Sequence, residues 1–409
     1  MLRTLAMTAV LGLSSVAVGD VEKPATEGTA PVDARLTATH KQVTSIKPAH
    51  AGTSVQLQTY CLTKDGDILA CVSPMTGETP EKAFIQLYGA DGTLKREFGV
   101  DFTATAVNVA SNGDILVAGG GRLARYTADG KQLLNQQTPN IENFEEFKKK
   151  AAEDAKKQQE EYAQQMTQGL KQAADQLAEL EKTPEAERTP QQKAQMTALT
   201  SQKKIYEQQC ESAKTEAAQY FSAESVLASK LRVTSVASTD QDVFLCCGAL
   251  TGRGYDVWRV DHKFENGARV LKGLSGCCGQ MDVQTAGDKI LVAENTRFRV
   301  AIYDRDGKSL SSFGNRDRNS EEGFGSCCNP MNVRCCTGGD ILAAESSIGH
   351  LKRFSQDGKL VQLVGKAKIG AGCKHVAVAW DASRDRYYMM NVDKGSICSR
   401  CGRSHRRRK

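Results

Sequence analysis

The amino-acid sequence predicts an all-β six-bladed propeller with an inserted antiparallel α-helical coiled-coil hairpin. Three observations lead to this fold class. A short strand motif recurs six times, an Asp-Gly turn follows it in most copies, and one interval between copies holds a long segment of helix-forming residues. Four-stranded units that repeat about every 40 to 50 residues are typical of propellers, because radial closure protects strand edges that a flat sheet would expose.

The strand motif is a short apolar run that begins just after a Gly or Asp, as in Asn112-Gly-Asp-Ile-Leu-Val-Ala. Neighbouring copies are 46 to 51 residues apart, except for one interval of 128 residues. The long interval therefore contains an insertion. The equivalent positions in the six copies are Ile68, Ile115, Val243, Ile290, Ile341 and Tyr387.

The Asp-Gly turns define the strands within each unit. Asp-Gly between apolar-alternating runs is the strongest short hairpin signal, because both residues accept the positive φ of a tight primed turn. Each unit therefore reads as four antiparallel strands. The four turns are Asp91-Gly92, Asp129-Gly130, Asp306-Gly307 and Asp357-Gly358, whereas the third unit has Val260-Asp-His-Lys-Phe-Glu-Asn in this place.

Two units resemble the NHL-repeat family most clearly. They contain Cys328-Asn-Pro-Met-Asn-Val with Gly339-Asp-Ile-Leu-Ala-Ala-Glu, and Ile290-Leu-Val-Ala-Glu-Asn-Thr-Arg-Phe-Arg-Val with Asp306-Gly-Lys. The resemblance covers roughly residues 54–136 and 228–393 and is weakest in the third and sixth units. It implies a six-bladed propeller, but propellers of this kind include binding modules, lyases and lactone hydrolases alike.

The insertion, residues 141–226, is rich in Ala, Gln, Glu and Lys, which favour helices. Its apolar residues recur in steps of three, four or seven, which is typical of a coiled-coil stripe. Thr189-Pro190 suits an N-cap followed by proline at the first helical position. We therefore expect an antiparallel hairpin that packs on itself or serves as a lid, a dimerisation arm or a partner arm.

The remaining boundaries follow from composition. Arg3 precedes an apolar run that ends in Ala17-Val18-Gly19, the pattern of a cleaved export signal, and a membrane anchor is the alternative. The alternating segment at 36–47 is expected to complete the sixth blade. The predicted segments are a signal peptide (1–19), a flexible linker (20–35), blades one and two with the closing strand (36–140), the hairpin (141–226), blades three to six (227–402) and a basic tail (403–409).

Because the chain is expected to be exported, its 14 cysteines favour disulfides, but their positions allow other chemistry. Five of them come just before the first strands of blades four, five and six and should converge on one channel mouth: Cys277, Cys278, Cys327, Cys328 and Cys373. Bridges between blades, a soft-metal site for Cu(I) or Zn, and strained redox disulfides are the alternatives. Cys398-x-x-Cys401 offers a further disulfide or metal pair.

A second set of candidate residues would line the same face of the propeller. The set consists of Glu294, Asn295, Asn332, Glu345 and His375. The resemblance implies that Glu294, Asn295, Asn332 and Glu345 would serve the calcium site of a lactone hydrolase, but they are equally explained as repeat positions that hydrogen-bond blade edges. The amidating lyases of this architecture are expected to place several His ligands around the channel, and of the six His here only His375 is near it.

These observations favour a non-catalytic binding or scaffold propeller of the cell envelope or exterior, periplasmic or extracellular, that acts through its top face and the coiled-coil arm. No catalytic residue and no firm cofactor is assigned, and an enzyme is the less favoured class. The alternatives are a thiol-metal or redox envelope protein and a lactonase-like or lyase-like enzyme. Expected partners are a protein or a second copy at 141–226, with weak contact of the tail to anionic surfaces. The charge of the insertion is mixed in sign, which argues against nucleic acid, and the net charge of +6 is local, with six Lys or Arg in the last ten residues. No transmembrane span is expected in the mature chain.

Overall fold

The computed structural model describes residues 34–75, 83–250, 252–326, 328–367, 369 and 372–402. The expected signal peptide and basic tail lie outside the described residues, so export and contact with anionic surfaces stay predictions. Within the described part of the chain, no helix is long and apolar enough to cross a membrane.

The described chain is mostly β, with 25 strands in six antiparallel sheets. In chain order the strands are β1 (His40–Ile46), β2 (Ala49–His50), β3 (Thr53–Leu62), β4 (Ile68–Pro74), β5 (Ala83–Tyr88), β6 (Leu94–Val100), β7 (Ala106–Val109), β8 (Ile115–Gly119), β9 (Arg122–Tyr126), β10 (Gln132–Gln137), β11 (Val233–Ser238), β12 (Asp242–Gly248), β13 (Tyr255–Asp261), β14 (Ala268–Leu274), β15 (Asp282–Ala286), β16 (Lys289–Glu294), β17 (Arg299–Tyr303), β18 (Ser309–Phe313), β19 (Asn332–Cys335), β20 (Ile341–Ala344), β21 (His350–Phe354), β22 (Leu360–Lys366), β23 (Val378–Asp381), β24 (Arg386–Asn391) and β25 (Ser396–Gly402). The first to fifth sheets are β2–β6, β7–β10, β11–β14, β15–β18 and β19–β22, and the sixth is β23–β25 with β1.

The turn residues explain why the chain folds back within each sheet. Gly92 and Gly307 adopt φ of 91° and 86° after an aspartate, a conformation that costs glycine no steric clash. In the third sheet, where the Asp-Gly pair is missing, Phe264 takes the left-handed conformation with φ of 65°. Its N–H donates to Asp261 O as the Gly307 N–H donates to Asp304 O, so the same turn forms from a different sequence.

One strand of each sheet contacts one strand of the next, from β3 through β7, β11, β15, β19 and β23 back to β3, and we call these six the first strands of the repeats. Side chains at matching positions join them. Ser235, Asp282 and Asn332 accept the backbone N–H groups of Val283, Val333 and Val376, at 2.9, 2.9 and 2.8 Å. These strands therefore begin at the same end of the ring, which we call the channel mouth.

The N-terminal strand closes the ring, as the alternating segment before the first repeat predicted. β1 pairs antiparallel with β25, from His40 opposite Gly402 to Ile46 opposite Ile397. Apolar side chains fill the space between this sheet and the first one, with Tyr60 and Tyr388 fully buried. Because each buried aromatic or aliphatic side chain contributes roughly 1.5–3 kcal/mol, these layers between sheets are the main source of stability.

The insertion forms three helices between β10 and β11: α1 (Phe144–Glu181), α2 (Pro190–Tyr220) and α3 (Ala223–Leu231). α1 and α2 pack against each other. The expected N-cap is confirmed, because Thr189 and Gln192 form a capping box and Pro190 opens α2. The helical segment extends to Leu231, beyond the predicted end at 226. Association through the hairpin stays a prediction.

A buried ion pair ties α3 to α1 and to the third sheet. Lys230 is 4% exposed, and its ammonium lies 2.7 Å from Asp154 Oδ2 of α1. The same group donates to the backbone carbonyls of Ala249 and Leu250 at 3.3 and 3.1 Å. α3 is therefore held on the propeller, and the chain passes from it directly into β11.

Candidate functional site

A cavity of about 240 Å³ lies at the channel mouth. Residues from five of the six sheets and their flanking segments reach it, half of them from the segments that precede the first strands. Eight of the twelve lining residues are polar or charged, and the rest are apolar or Cys, so the cavity suits a small ligand with polar groups. The residues around it are Gln56, Leu57, Gln58, Thr105, Arg232, Thr234, Gln280, Cys373, Lys374, His375, Met390 and Val392.

Arg232 is the main positive group of this cavity. It is the C-cap residue of α3, so the base of the helical insertion fixes its position. A Cβ on Gly279 would lie 3.2 Å from Arg232 Nη1, which places the guanidinium against the loop after Cys278. Arg232 forms no ion pair with any residue that the structure describes. A guanidinium in this setting can bind a carboxylate or a carbonyl oxygen that gains negative charge.

A second cavity, of about 540 Å³, adjoins the first below α3. The two share Thr105 and Arg232. Phe102, Ala228 and Leu231 give the second cavity an apolar wall. A ligand held at Arg232 can therefore place an apolar group under the helical insertion.

His375 forms a row with Thr59 and Asn332 inside the channel. Its Nε2 lies 3.2 Å from Thr59 Oγ1, and its Nδ1 lies 3.3 Å from Asn332 Nδ2. Asn332 Oδ1 accepts the Val376 N–H, which turns the amide nitrogen toward His375. Nδ1 of His375 is therefore the acceptor, and the ring proton is on Nε2 and points to Thr59.

This tautomer decides what the row can do. In a hydroxyl–imidazole general-base pair, the imidazole nitrogen facing the hydroxyl must be unprotonated. Here that nitrogen carries the proton, so His375 does not activate Thr59. Burial lowers the pKa of His375 to about 4, and the ring is neutral at physiological pH.

Three of the predicted cysteines meet beside the cavity. The sulfurs of Cys277, Cys278 and Cys328 all lie within 4.8 Å of one another, and those of Cys277 and Cys278 are 3.4 Å apart. Cys373, which lines the cavity, hydrogen-bonds with Cys278. Burial raises the pKa of the Cys278 thiol. The fifth predicted cysteine, Cys327, lies outside the described residues.

Buried asparagines fix the two loops that carry these thiols. Asn295, fully buried, accepts the Cys277 N–H at 3.0 Å and donates to Gln280 O at 3.1 Å. Asn329 accepts the Ser346 N–H at 2.8 Å. Cys278 and Cys328 hold equivalent left-handed conformations, with φ of 56° and 60°. Such conformations are costly for non-glycine residues and cluster at ligand sites.

The other predicted face residues are occupied by internal contacts. Glu294 is 2% exposed, pairs with Arg299 and accepts the Tyr303 hydroxyl at 3.0 Å. Glu345 is fully buried, 3.1 Å from Lys352 Nζ and 3.4 Å from His350 Nδ1. Of the five predicted residues, only Asn332 and His375 lie in the channel row.

Glu345, His350 and Glu321 bring a carboxylate–imidazole group together within 4.8 Å. Lys352 lies 3.1 Å from Glu345 and 3.4 Å from Glu321, so an ammonium already compensates these carboxylates. Although burial opposes ionisation, the contacts to His350, Lys352 and Gly325 N–H outweigh it and lower the pKa of Glu345. This group is therefore a structural charge network.

The 13 described cysteines carry thiols, so the expected bridges between blades are not formed among them. The expected pair Cys398-x-x-Cys401 is also corrected. Both residues lie in β25, which pairs with β24 without a bulge. Residues three apart in a strand point to opposite faces, so these two sulfurs cannot share a bond or a metal.

Sequence reasoning missed Arg232 and Gln280. Neither belongs to the repeat motif, and Arg232 enters the cavity only because α3 continues to Leu231 and ends there. The available signal was a basic residue directly before β11, at the position of Gly279 and Asn329 in later units, one residue after the cysteine position.

Comparisons with known proteins concern the fold. No family model matches the chain, and no curated protein sequence matches it. Virginiamycin B lyase from Staphylococcus aureus aligns at 9% identity and TM-score 0.44, over 88% of this chain and 98% of that one. A gluconolactonase from Xanthomonas campestris aligns at 9% identity and TM-score 0.44, over 91% of this chain and 99% of that one. The Cps50 (Swd1) β-propeller domain from Myceliophteria thermophila aligns at 11% identity and TM-score 0.44, over 89% of this chain and 100% of that one.

These comparisons correct two expectations, namely a non-catalytic binding scaffold and a protein that is not an enzyme. Solved structures that align with most of the chain include a lyase and a gluconolactonase. Identities of about 10% limit the likeness to the fold, so no substrate and no site residue is carried over from them.

Proposed function

We propose that the protein is an enzyme of the lactonase or lyase type, whose active site is the cavity at the channel mouth. The observation that carries the proposal is the Arg232 guanidinium, which faces a polar cavity lined from five sheets without an ion-pair partner among the described residues. We further propose that the six sheets are the blades of an NHL-type propeller and that α1 and α2 form a coiled coil.

The chemistry follows from what Arg232 can stabilise. Opening a cyclic ester by hydrolysis forms a bond between water oxygen and the carbonyl carbon and breaks the ring C–O bond. A proton of the water ends on the leaving alkoxide. Negative charge develops on the carbonyl oxygen, where a fixed cationic donor lowers the barrier most. Arg232 is this donor, and the Gln280 side chain lines the same cavity.

The substrate class follows from the two joined cavities. The polar mouth takes the carbonyl group, and the apolar wall of Phe102, Ala228 and Leu231 takes a hydrocarbon substituent. A small lactone that carries an alkyl or acyl side chain fits both. Residues of the insertion thus contribute to the binding of substrate, which gives α3 a role beyond packing.

The test is a screen of lactones with side chains of increasing length. Ring opening is measured as acid release in a pH-stat, and the mass of the product is determined by mass spectrometry. Turnover of at least one lactone, with a preference for an alkyl substituent, supports the proposal. Arg188→Met, at the tip of the hairpin, is the matched control and should behave like the wild type. If no lactone is opened, and none is cleaved by elimination, the proposal is wrong.

A further inference from the structure

Among the residues that the structure describes, those lining the cavity provide a charge-stabilising group but no free acceptor for the proton of water. Lys374 pairs with Asp393, and both ring nitrogens of His375 are engaged by Thr59 and Asn332. We propose that Cys277, Cys278 and Cys328 bind one Zn²⁺ as thiolates, with the fourth ligand position facing the cavity. This inference rests on the proposed function for its role in the reaction, whereas the zinc site itself stands on the thiol geometry.

The spacing of the sulfurs suits a single tetrahedral ion. Zn–S bonds of about 2.3 Å place two sulfurs of a tetrahedral site about 3.8 Å apart. The three sulfurs here are within 4.8 Å of one another, and one pair is at 3.4 Å. Side-chain shifts of about an ångström or less therefore complete the site. The hydrogen bonds of Asn295 and Asn329 hold the two loops in place for this purpose.

The site also has an entry path and an open side. Cys278 is exposed, Cys277 is half-buried and Cys328 is buried, so an ion enters from the solvent at the mouth. Cys373 contacts Cys278 and lines the cavity, so the Cys278 side of the thiol cluster borders the cavity. Arg232 lies against Gly279, next in the chain after Cys278. A three-ligand zinc site lowers the pKa of a bound water, which is the activation the cavity residues do not supply.

A disulfide explains the cluster less well. The adjacent Cys277 and Cys278 have Cα atoms about 3.8 Å apart, short of the usual 4.4 Å or more. Any bridge within the group of three also leaves one thiol over. A soft divalent ion uses all three.

The experiment measures zinc alone. The purified full chain is reduced, freed of metal with a chelator and titrated with Zn²⁺ against a chromophoric competitor, and bound zinc is counted by mass spectrometry. One zinc per chain is expected for the wild type, with affinity reduced at least 100-fold in Cys277→Ser and Cys328→Ser. Cys210→Ser in α2 and Cys335→Ser in β19 are matched controls that should retain the wild-type affinity.

Cobalt gives a second readout that does not depend on the variants folding. Co²⁺ should produce a sulfur-to-metal charge-transfer band and the intense visible bands of a tetrahedral site. Cys373→Ser should keep one metal per chain, because Cys373 is not one of the three ligands. Loss of zinc in Cys373→Ser means a closed four-thiolate site, which overturns the open position. Absence of zinc binding, binding of Cu(I) only, or a thiol count showing a disulfide in the isolated chain overturns the site.

Failure of this inference and failure of the proposed function have different signatures. One bound zinc with no turnover of any lactone leaves the site standing and removes the function. Turnover that survives complete removal of metal and the Cys328→Ser change leaves the function standing and removes zinc from the reaction, whereas absence of zinc binding removes the site itself.

Discussion

Replacing Lys230 by Met tests how the helical insertion is anchored above the cavity. Lys230 is 4% exposed; its ammonium forms an ion pair with Asp154 Oδ2 at 2.7 Å and donates to two backbone carbonyls. Met keeps most of the aliphatic stem but removes the charge, so Asp154 and two backbone carbonyls lose their partner. Breaking a buried pair in this way costs about 3–5 kcal/mol.

Two features of the pair reduce this cost. The side chain of Asp154 is 26% exposed, so water solvates the orphaned carboxylate in part. The contact is also an ion pair without hydrogen-bond geometry, because Asp154 Oδ2 has no hydrogen-bond partner in the described structure. We therefore expect a loss of about 2–3 kcal/mol in the free energy of unfolding. The loss should be confined to α3 and its contacts if the insertion opens locally.

Urea denaturation followed by circular dichroism, with hydrogen exchange on residues 223–231, measures the effect. Lys182→Met is the matched control, since its pair with Glu179 is about 70% exposed on both sides and should contribute less than about 1 kcal/mol. The double change Lys230→Met with Asp154→Leu should recover most of the loss, because no buried charge remains unpaired. A cost below about 0.5 kcal/mol for Lys230→Met, with unchanged exchange in α3, would refute the reasoning.

Three further outcomes are expected. The pKa of His375 is depressed to about 4 in the folded chain, against an ordinary value of 6.5, so the free energy of unfolding should fall by at most about 3 kcal/mol as pH drops from 6.5 to 4. His375→Gln should flatten this pH dependence in urea titrations, and an equal slope in both proteins contradicts the assignment. Lys352→Met leaves the fully buried Glu345 carboxylate without its ammonium and should cost about 3–5 kcal/mol by the same measurement, so a cost under 1 kcal/mol contradicts the charge network. Gly248→Ala places a Cβ 2.8 Å from Ser229 O and should destabilise α3 by about 1–3 kcal/mol in thermal unfolding, whereas Gly99→Ala, with its nearest contact at 3.9 Å, should not; equal melting temperatures contradict the close approach.

The sequence predicted features of the fold that are written locally. Asp-Gly turns placed the hairpins, and Thr189-Pro190 marked the start of α2, because turn and cap residues act within a few positions of the chain. The end of the insertion was missed since α3 is short and its apolar residues, such as Val226 and Leu231, also suit the start of a strand. Its helical form depends on the Ser222 cap and on packing against α1.

The candidate site was predicted only in part. The repeat placed Cys277, Cys278 and Cys328 at matching positions, and in the ring they meet. Glu294 and Glu345 occupy equally regular positions, but their carboxylates turn to Arg299 and Lys352. The spacing of the repeats alone cannot show whether a carboxylate points toward the channel or into the protein, because its direction depends on partners from elsewhere in the chain. The expectation of a scaffold failed because it relied on the absence of a local acid–base motif.

The central claim is that Arg232 stabilises the negative charge of a reaction at the channel mouth. The most direct measurement is kcat/KM for the best lactone with the wild type, Arg232→Met and Arg188→Met, after circular dichroism shows that all three are folded. We expect kcat/KM to fall by about 10²–10³ in Arg232→Met, mainly through kcat, because the interaction is made with the developing oxyanion. Equal kcat/KM for the wild type and Arg232→Met would contradict it.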